Sequence, residues 1–299
     1  MFRNVEKPLF FCNFALVSQS KTYRIMQKLK ILYVSSEIDP FLNTSEVAEY
    51  VRQLPEKMVD KGMEIRILVP RFGLINERKN RLHEVVRLSG INIAVGDEEK
   101  PLTIKVASIP SAKLQVYFID NEDYFHRKTV FTDRQQKFYE DNHERAIFFC
   151  KGVMETVKKL GWSPDIIHCN DWFTSLIPLY LKTTYKNDPV FKDTKSVFTI
   201  YDTSFQHQFE ATDLLNKVKM LDVSDENMEG LRSGDFKGFI KTGAQYADTI
   251  VKSSETVEAS VNGLLADMHG KKRIDVIEHK EDFHTYYHEI YQELIGVTC

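Results

Sequence analysis

The sequence predicts an α/β fold, doubly wound around a mainly parallel sheet. One observation is a series of short β-rich runs whose cores are almost continuously apolar, as in ILYV (31–34) and DIIHC (165–169). Strands of that kind suit a sheet covered by helices on both faces. Another is that segments of helical period lie between these runs, and alternation of strand and helix is the signature of a parallel α/β sheet. Such a sheet binds ligands at the carboxyl ends of its strands, so the turns that follow the runs are the places to look for chemistry.

The elements follow in order. LKILYVSSE (29–37) is the first strand. Residues 46–60 put Val47, Val51, Leu54 and Met58 on one helical face, and Pro55 is expected to kink or shorten that helix. MEIRILVP (63–70) is the next strand, and 82–118 breaks the alternation as a local antiparallel excursion containing LTIKVASI (102–109) and LQVYFID (114–120). A long amphipathic helix is predicted over 133–160, then the strand DIIHCND (165–171) and a helix over 172–186. SVFTIYD (196–202) and DTIVKSS (248–254) are further strands, with helices over 211–222, 235–247, 255–266 and 281–295. No internal repeat or low-complexity linker interrupts the pattern, so residues 26–299 read as one domain.

The bulk properties exclude several classes. The 299 residues carry a net charge of −3, with 42% hydrophobic and 28% charged residues. That balance gives no electrostatic reason to expect nucleic acid or an anionic membrane as partner. Four widely spaced cysteines with no CxxC pair point to a reduced, cytoplasmic protein. No apolar run approaches the roughly 20 residues that span a bilayer. PLFFCNFALVS (8–18) has the length of a signal-peptide core, but Met26 stands just before QKLKILYVSSE. Residues 1–25 are therefore read as an upstream extension with weak order.

The first turn sets a puzzle. A strand-to-helix turn that cradles phosphate is normally glycine-rich, yet residues 1–61 contain no glycine. SSEIDPF with VAEYVRQLPEKM resembles the opening of bacterial glycogen synthases and plant starch synthases, glycosyltransferase family 5. IDNEDYFHR (119–127), FYEDNHERAIFFCKGVMETV (138–157), PDIIHCNDWFTSLIPLYLK (164–182), VFTIYDTSFQHQF (197–209) and FIKTGAQYADTIVKSSETV (239–257) continue it in the family's order. HCNDW with TSLIPLYLK is the most specific of these. The resemblance covers about residues 27–262 and implies the Rossmann-like, N-terminal, acceptor-side half of a GT-B fold. Family members transfer glucose from ADP-glucose to the end of an α-1,4-glucan with retention of configuration. The resemblance therefore implies an α-glucan or maltooligosaccharide as partner and no cofactor. The half that binds the nucleotide sugar in the family has no counterpart in the resemblance. Residues 280–296, KEDFHTYYHEIYQELIG, are expected to form a helix that returns to close the domain.

The family pattern at the first turn is Lys-x-Gly-Gly, and Asn43, Thr44, Ser45 and Glu46 stand at the aligned positions. The lysine's charge is gone, and both glycines carry side chains that narrow a backbone approach. Asn43 to Glu46 has the spacing of a capping box, and Glu46 puts a carboxylate where the helix dipole favours an anion. The turn is thus expected to satisfy its own helix rather than a phosphate.

Other acceptor-side candidates are weighed against structural roles. His168 and Asp171 end a strand in the loop that lines the family's cleft, but Asp171 serves equally as cap for a helix starting at Trp172. Tyr201 and Asp202 replace the family's His-Asn pair, which removes an acid/base group. Gln206 is retained from Tyr-Gln-Gly, with His207 in place of the glycine. Asp141 and Arg145 match a cleft motif, but at i,i+4 they are also placed to pair with each other. Tyr124, Phe125, Trp172 and Phe205 read as core before sugar platforms. His284 and His288 share a helical face without a third ligand, so no metal site is assigned.

Three functional readings stand. The first is a glucosyltransferase of glycogen or starch synthesis that a partner chain or self-association completes. The second is a non-catalytic α-glucan-binding or regulatory module. The third is a scaffold with no carbohydrate role.

Overall fold

A computed structural model describes residues 28–254, 259–266, 272–274 and 282–296. The expectation for residues 1–25 lies outside the described residues. Strand β1 (Lys30–Val34) leads into helix α1 (Glu46–Asp60), and β2 (Glu64–Pro70) follows. A short helix α2 (Glu77–Asn80) precedes β3 (His83–Glu84), β4 (Ile91–Val95), β5 (Glu98–Ile109) and β6 (Leu114–Asp120). Then come α3 (Glu122–Phe125), α4 (Asn142–Leu160), β7 (Ile166–Asn170) and, after a 3-10 turn over Trp172–Thr174, α5 (Leu176–Lys182). The remainder is β8 (Lys195–Ile200), α6 (Ala211–Val218), α7 (Phe236–Tyr246), β9 (Thr249–Lys252), α8 (Ala259–Ala266), β10 (Lys272–Ile274) and α9 (Phe283–Ile295).

The strand order is β10-β9-β8-β7-β1-β2-β6-β5-β3, with β4 paired to β5 off that path. Every pairing from β10 to β6 is parallel, while β5 runs antiparallel to β6, β3 and β4. The antiparallel excursion expected within 82–118 is therefore present at one edge. Chain order reverses at β1, which pairs with β2 on one side and β7 on the other, so the sheet is doubly wound with its switch point at β1/β7. The central strands β1 and β7 are buried almost throughout, as their continuous apolar runs require.

Several boundaries differ from the sequence reading, each for a local reason. α1 runs on to Asp60 despite Pro55, because Val47, Val51, Leu54, Pro55 and Met58 all bury on the core face. The helix predicted over 133–160 begins only at Asn142. Before it, Asp133 Oδ1 accepts from the amides of Gln135 at 2.8 Å and Lys137 at 2.9 Å, and Gln136 has φ 66°. That aspartate turn competes with helix. The helix over 172–186 divides into the 3-10 turn and α5, which stops where Thr183 Oγ1 returns to Leu179 O at 2.8 Å. α6 ends at Val218 because the buried Lys151 ammonium takes the carbonyls of Lys217 at 2.9 Å and Lys219 at 3.3 Å, together with Ala94 O of β4 at 2.9 Å. Strand β10 is an addition the sequence reading lacked.

Helix α9 lies over the sheet and packs beside α1. Its Tyr287, Ile290 and Tyr291 are buried. Tyr291 Oη lies 2.9 Å from Tyr33 Oη and 2.6 Å from His168 Nδ1, while Tyr287 Oη lies 2.9 Å from Thr199 Oγ1. Tyrosines four residues apart on one helical face thus reach β1, β7 and β8 together. The helix stops at Gly296, whose φ of 74° is a left-handed C-cap.

Candidate functional site

The carboxyl ends of β1, β7 and β8 gather most of the candidate residues. At the end of β1 the chain turns through Ser35–Ser45 into α1. Glu37, only 5% exposed, reaches across that turn. Its Oε2 accepts from the backbone amide and the hydroxyl of Thr44, both at 2.7 Å, and its Oε1 accepts from the hydroxyl of Ser45. Ser45, not Asn43, is the N-cap of α1, and its Oγ accepts from Val47 N at 3.3 Å. The capping-box reading is therefore corrected by two residues. Asn43 instead sends its side-chain amide to Asp39 Oδ1 at 3.4 Å, because Glu37 holds the hydroxyls that define the turn. Glu46 accepts from Ser253 Oγ at 3.2 Å, which ties the start of α1 to the segment after β9.

Asp171 follows β7. It is 2% exposed, with φ 68° and ψ 171°, a backbone region costly for any residue with a side chain. Its side chain makes no cap bond to the helical turn that follows. It accepts instead from Thr203 Oγ1, which pins the loop after β8. Burial raises its pKa to about 7, with the Thr203 bond opposing and the charges of Glu37 and Glu46 adding to the rise. Three carboxyl groups therefore crowd the switch point, and the repulsion from Glu37 and Glu46 is part of what holds a proton on Asp171.

His168 is placed away from this rim. It is fully buried, with Nδ1 on Tyr291 and Nε2 2.7 Å from Thr199 Oγ1. Burial depresses its pKa to about 3, so it is neutral at physiological pH. Tyr201 is 2% exposed and donates to Asn170 Oδ1 at 3.0 Å, with its ring 6.0 Å from Tyr50. Asp202 and Gln206 are exposed.

Asp141 and Arg145 do not pair with each other. Asp141 takes two bonds from Arg127, one of them at 2.7 Å. That arginine is the largest influence holding the carboxyl's pKa below the usual range against burial. Arg145 is fully buried, and donates to Tyr124 O and Val130 O at 2.7 Å each and to Asn142 Oδ1. Burial lowers its pKa to about 9. The Asp141/Arg145 motif thus clamps the loop that runs from α3 to α4. The i,i+4 reading failed because Asp141 sits at the N-cap, before the helical geometry begins.

The aromatic candidates are largely core. Phe138 stacks on Phe205 at 4.7 Å, and Trp172 meets Phe205 edge-on at 4.8 Å. Tyr124 and Phe125 are buried, with Tyr124 donating to Glu144 at 3.0 Å. Among the described residues, His143, Glu144 and Asp213 form the one group with ligand atoms close enough for a metal. Lys217 already bridges its carboxylates at 2.8 Å and 2.7 Å, so a cation is present in the protein itself. His284 lies 2.7 Å from Asp282.

Sequence reasoning passed over Glu37, which it quoted only as part of a motif. An acid seven residues before a hydroxyl-rich turn was the available signal. It also passed over Asn170, whose side chain binds Val34 O at 3.1 Å and so joins β7 to β1 at the switch point.

A doubly wound sheet with an antiparallel edge, its polar groups collected at the β1/β7 switch point, is a Rossmann-like unit of the kind that forms one half of a GT-B fold. Within that class, residues 30–265 match the family described as the starch synthase catalytic domain, and the chain belongs to it. It is 38% identical over 259 residues to a glycogen synthase of Chlorobium limicola, covering 86% of this chain and 52% of that protein. A glycogen synthase of Chlorobaculum parvum is 40% identical over 227 residues, covering 75% of this chain and 46% of that one. The chain thus spans about half the length of the curated relatives it matches. The catalytic domain of starch synthase IV from Arabidopsis thaliana, bound to ADP and acarbose, superposes with a TM-score of 0.68 at 20% identity. That match covers 84% of this chain and 51% of the plant chain, and it supports the fold. The protein is glycogen/starch synthase-like. Among the described residues no helix is long and apolar enough to cross a membrane.

Proposed function

We propose that this chain serves α-glucan synthesis as an acceptor-side unit that binds α-glucan or maltooligosaccharide and does not hold the donor diphosphate at its first turn. The observation that carries the reading is Glu37. Its carboxylate takes the Thr44 amide and the Thr44 and Ser45 hydroxyls. A phosphate at a helix start needs open amide donors and positive potential. Here the Thr44 amide and the two hydroxyls are occupied by an acid of the chain, and Glu46 places a further carboxylate at the start of the helix. Stabilising a departing diphosphate is the electrostatic core of a retaining transfer from a nucleotide sugar. Transfer therefore requires donor-holding groups from elsewhere, on further polypeptide or on a partner chain. Buried free thiols at Cys150 and Cys169 support a reducing, cytoplasmic setting.

Calorimetry on the 299-residue chain tests this, with ADP-glucose and maltoheptaose titrated separately. Maltoheptaose is expected to bind and ADP-glucose to give no heat beyond dilution. Saturable binding of ADP-glucose, or glucosyl transfer by the chain alone, would refute the closed-turn reading.

A further inference from the structure

Helix α9 is fixed to the sheet by a chain of polar groups as well as by apolar contact. Its buried residues are Tyr287, Ile290 and Tyr291. The two tyrosines enter a chain that runs Tyr33–Tyr291–His168–Thr199–Tyr287, with successive separations of 2.9, 2.6, 2.7 and 2.9 Å. All five groups are buried. A neutral imidazole donates at one nitrogen and accepts at the other, so every link is filled and one hydroxyl hydrogen is left over. An imidazolium donates at both nitrogens. One half of the chain must then reverse, which leaves a second hydroxyl hydrogen buried with no acceptor among the described residues.

The neighbours of the imidazole carry no charge to offset a proton. They are Thr199 of β8, Tyr33 of β1, and Tyr287 and Tyr291 of α9, with the three tyrosine rings centred 5.2, 5.1 and 5.9 Å from it. Burial raises the pKa of each of these tyrosines, so all stay neutral hydroxyls. Burial alone takes His168 from 6.5 to about 3. On the helix itself, burial and then the charge of Lys61, at the end of α1, lower His288, with Glu289 opposing. His284 pairs with Asp282 at the start of the same helix, 2.7 Å away, so that pair travels with α9. Lifting α9 returns His168 and His288 to water, where they take protons that the docked state refuses. The undocked state thus binds more protons, and acid favours it from about pH 6.5 downwards. The same movement reaches the switch point, because Phe283 of α9 lies 5.3 Å from the Tyr50 ring, which in turn lies 6.0 Å from Tyr201.

We propose that α9 is an acid-released strap, in which a proton on His168 lifts the helix from β1, β7 and β8 and uncovers the sheet beside the switch point. The device is independent of the glucan reading above. Amide hydrogen exchange on the full chain tests it, with protection taken relative to the intrinsic rate at each pH and α4 as the internal reference. Between about pH 7.5 and pH 5 the protection of α9 is expected to fall about 30-fold, while α4 stays the better protected at both. Protection of α9 that does not change with pH would overturn the switch. Equal protection of α9 and α4 at pH 5 would also overturn it, since the helix would then leave only with the whole fold. His168→Gln is expected to abolish most of the fall, and a variant that keeps all of it would remove His168 as the sensor. His288→Gln, at a half-buried position, is expected to keep most of the fall. Loss of the entire fall in that variant would move the sensor to His288 and overturn the role given to His168.

Discussion

His168 and Asp171 lie three residues apart in one motif and have opposite surroundings. His168, within β7, is roofed by α9, and each ring nitrogen meets a hydroxyl of the protein. Asp171, just past the same strand, is buried with one hydroxyl donor, a strained backbone and two acids nearby. Burial pushes both towards the neutral form, which means a lowered pKa for the base and a raised one for the acid. The difference is in satisfaction. The polar cluster beneath α9 is closed by hydrogen bonds among neutral groups, which favours rigidity. The switch point instead crowds three carboxyl groups, and the raised pKa of Asp171 relieves part of their repulsion.

The largest expected effect breaks the closed side. Tyr291→Ala removes a fully buried ring and leaves Tyr33 and His168 each without that partner. A loss of about 3–5 kcal/mol is expected in urea denaturation. Tyr291→Phe keeps the ring and loses the hydroxyl, for about 1–3 kcal/mol. Equal losses for the two variants would show that the hydroxyl network, not packing, anchors α9.

The next effects appear as opposite pH slopes. The Asp171 carboxyl titrates near pH 7 in the fold against 3.8 in an ordinary setting. The folded state therefore holds the proton more tightly, so stability falls as pH rises from about 4 to about 7. Asp171→Asn keeps an acceptor for Thr203 and removes that slope, so the variant is expected to gain on the order of 3 kcal/mol over the parent at pH 8. His168 has the reverse sign. Its pKa falls from 6.5 to about 3, so the unfolded chain takes the proton first and stability falls as pH drops below 6.5. The parent is expected to lose on the order of 2 kcal/mol between pH 7 and pH 5 from this group. His168→Gln should lack that slope, and denaturation midpoints at the two pH values decide it.

These contrasts also show what the sequence could and could not express. The alternating runs and their order were readable because burial on both faces leaves a continuous apolar signature, as in β1 and β7. The loss of the glycine-lysine turn was equally plain in Asn43–Glu46. Partner choice was not. Arg145 turned inward to carbonyls at 2.7 Å, and Asp141 went to Arg127, fourteen residues away. Such pairings depend on where a loop folds back, and periodicity carries no record of that. Tyr287 and Tyr291 advertised a helical face, but their targets on β1, β7 and β8 belong to strands far apart in sequence.

The smallest effect bears on the turn itself. Ser45→Ala removes the hydroxyl that caps α1 and one donor to Glu37, for about 1 kcal/mol. Glu46→Gln keeps an acceptor for Ser253 on an exposed side chain and is expected to change stability little. Neither substitution is expected to create affinity for ADP-glucose, because Glu37 still holds the Thr44 amide at 2.7 Å. If either variant gains saturable ADP-glucose binding, the turn is blocked by Ser45 or Glu46 alone. If neither does, and Glu37→Gln combined with Glu46→Gln also fails, the missing lysine and glycines are the deeper barrier.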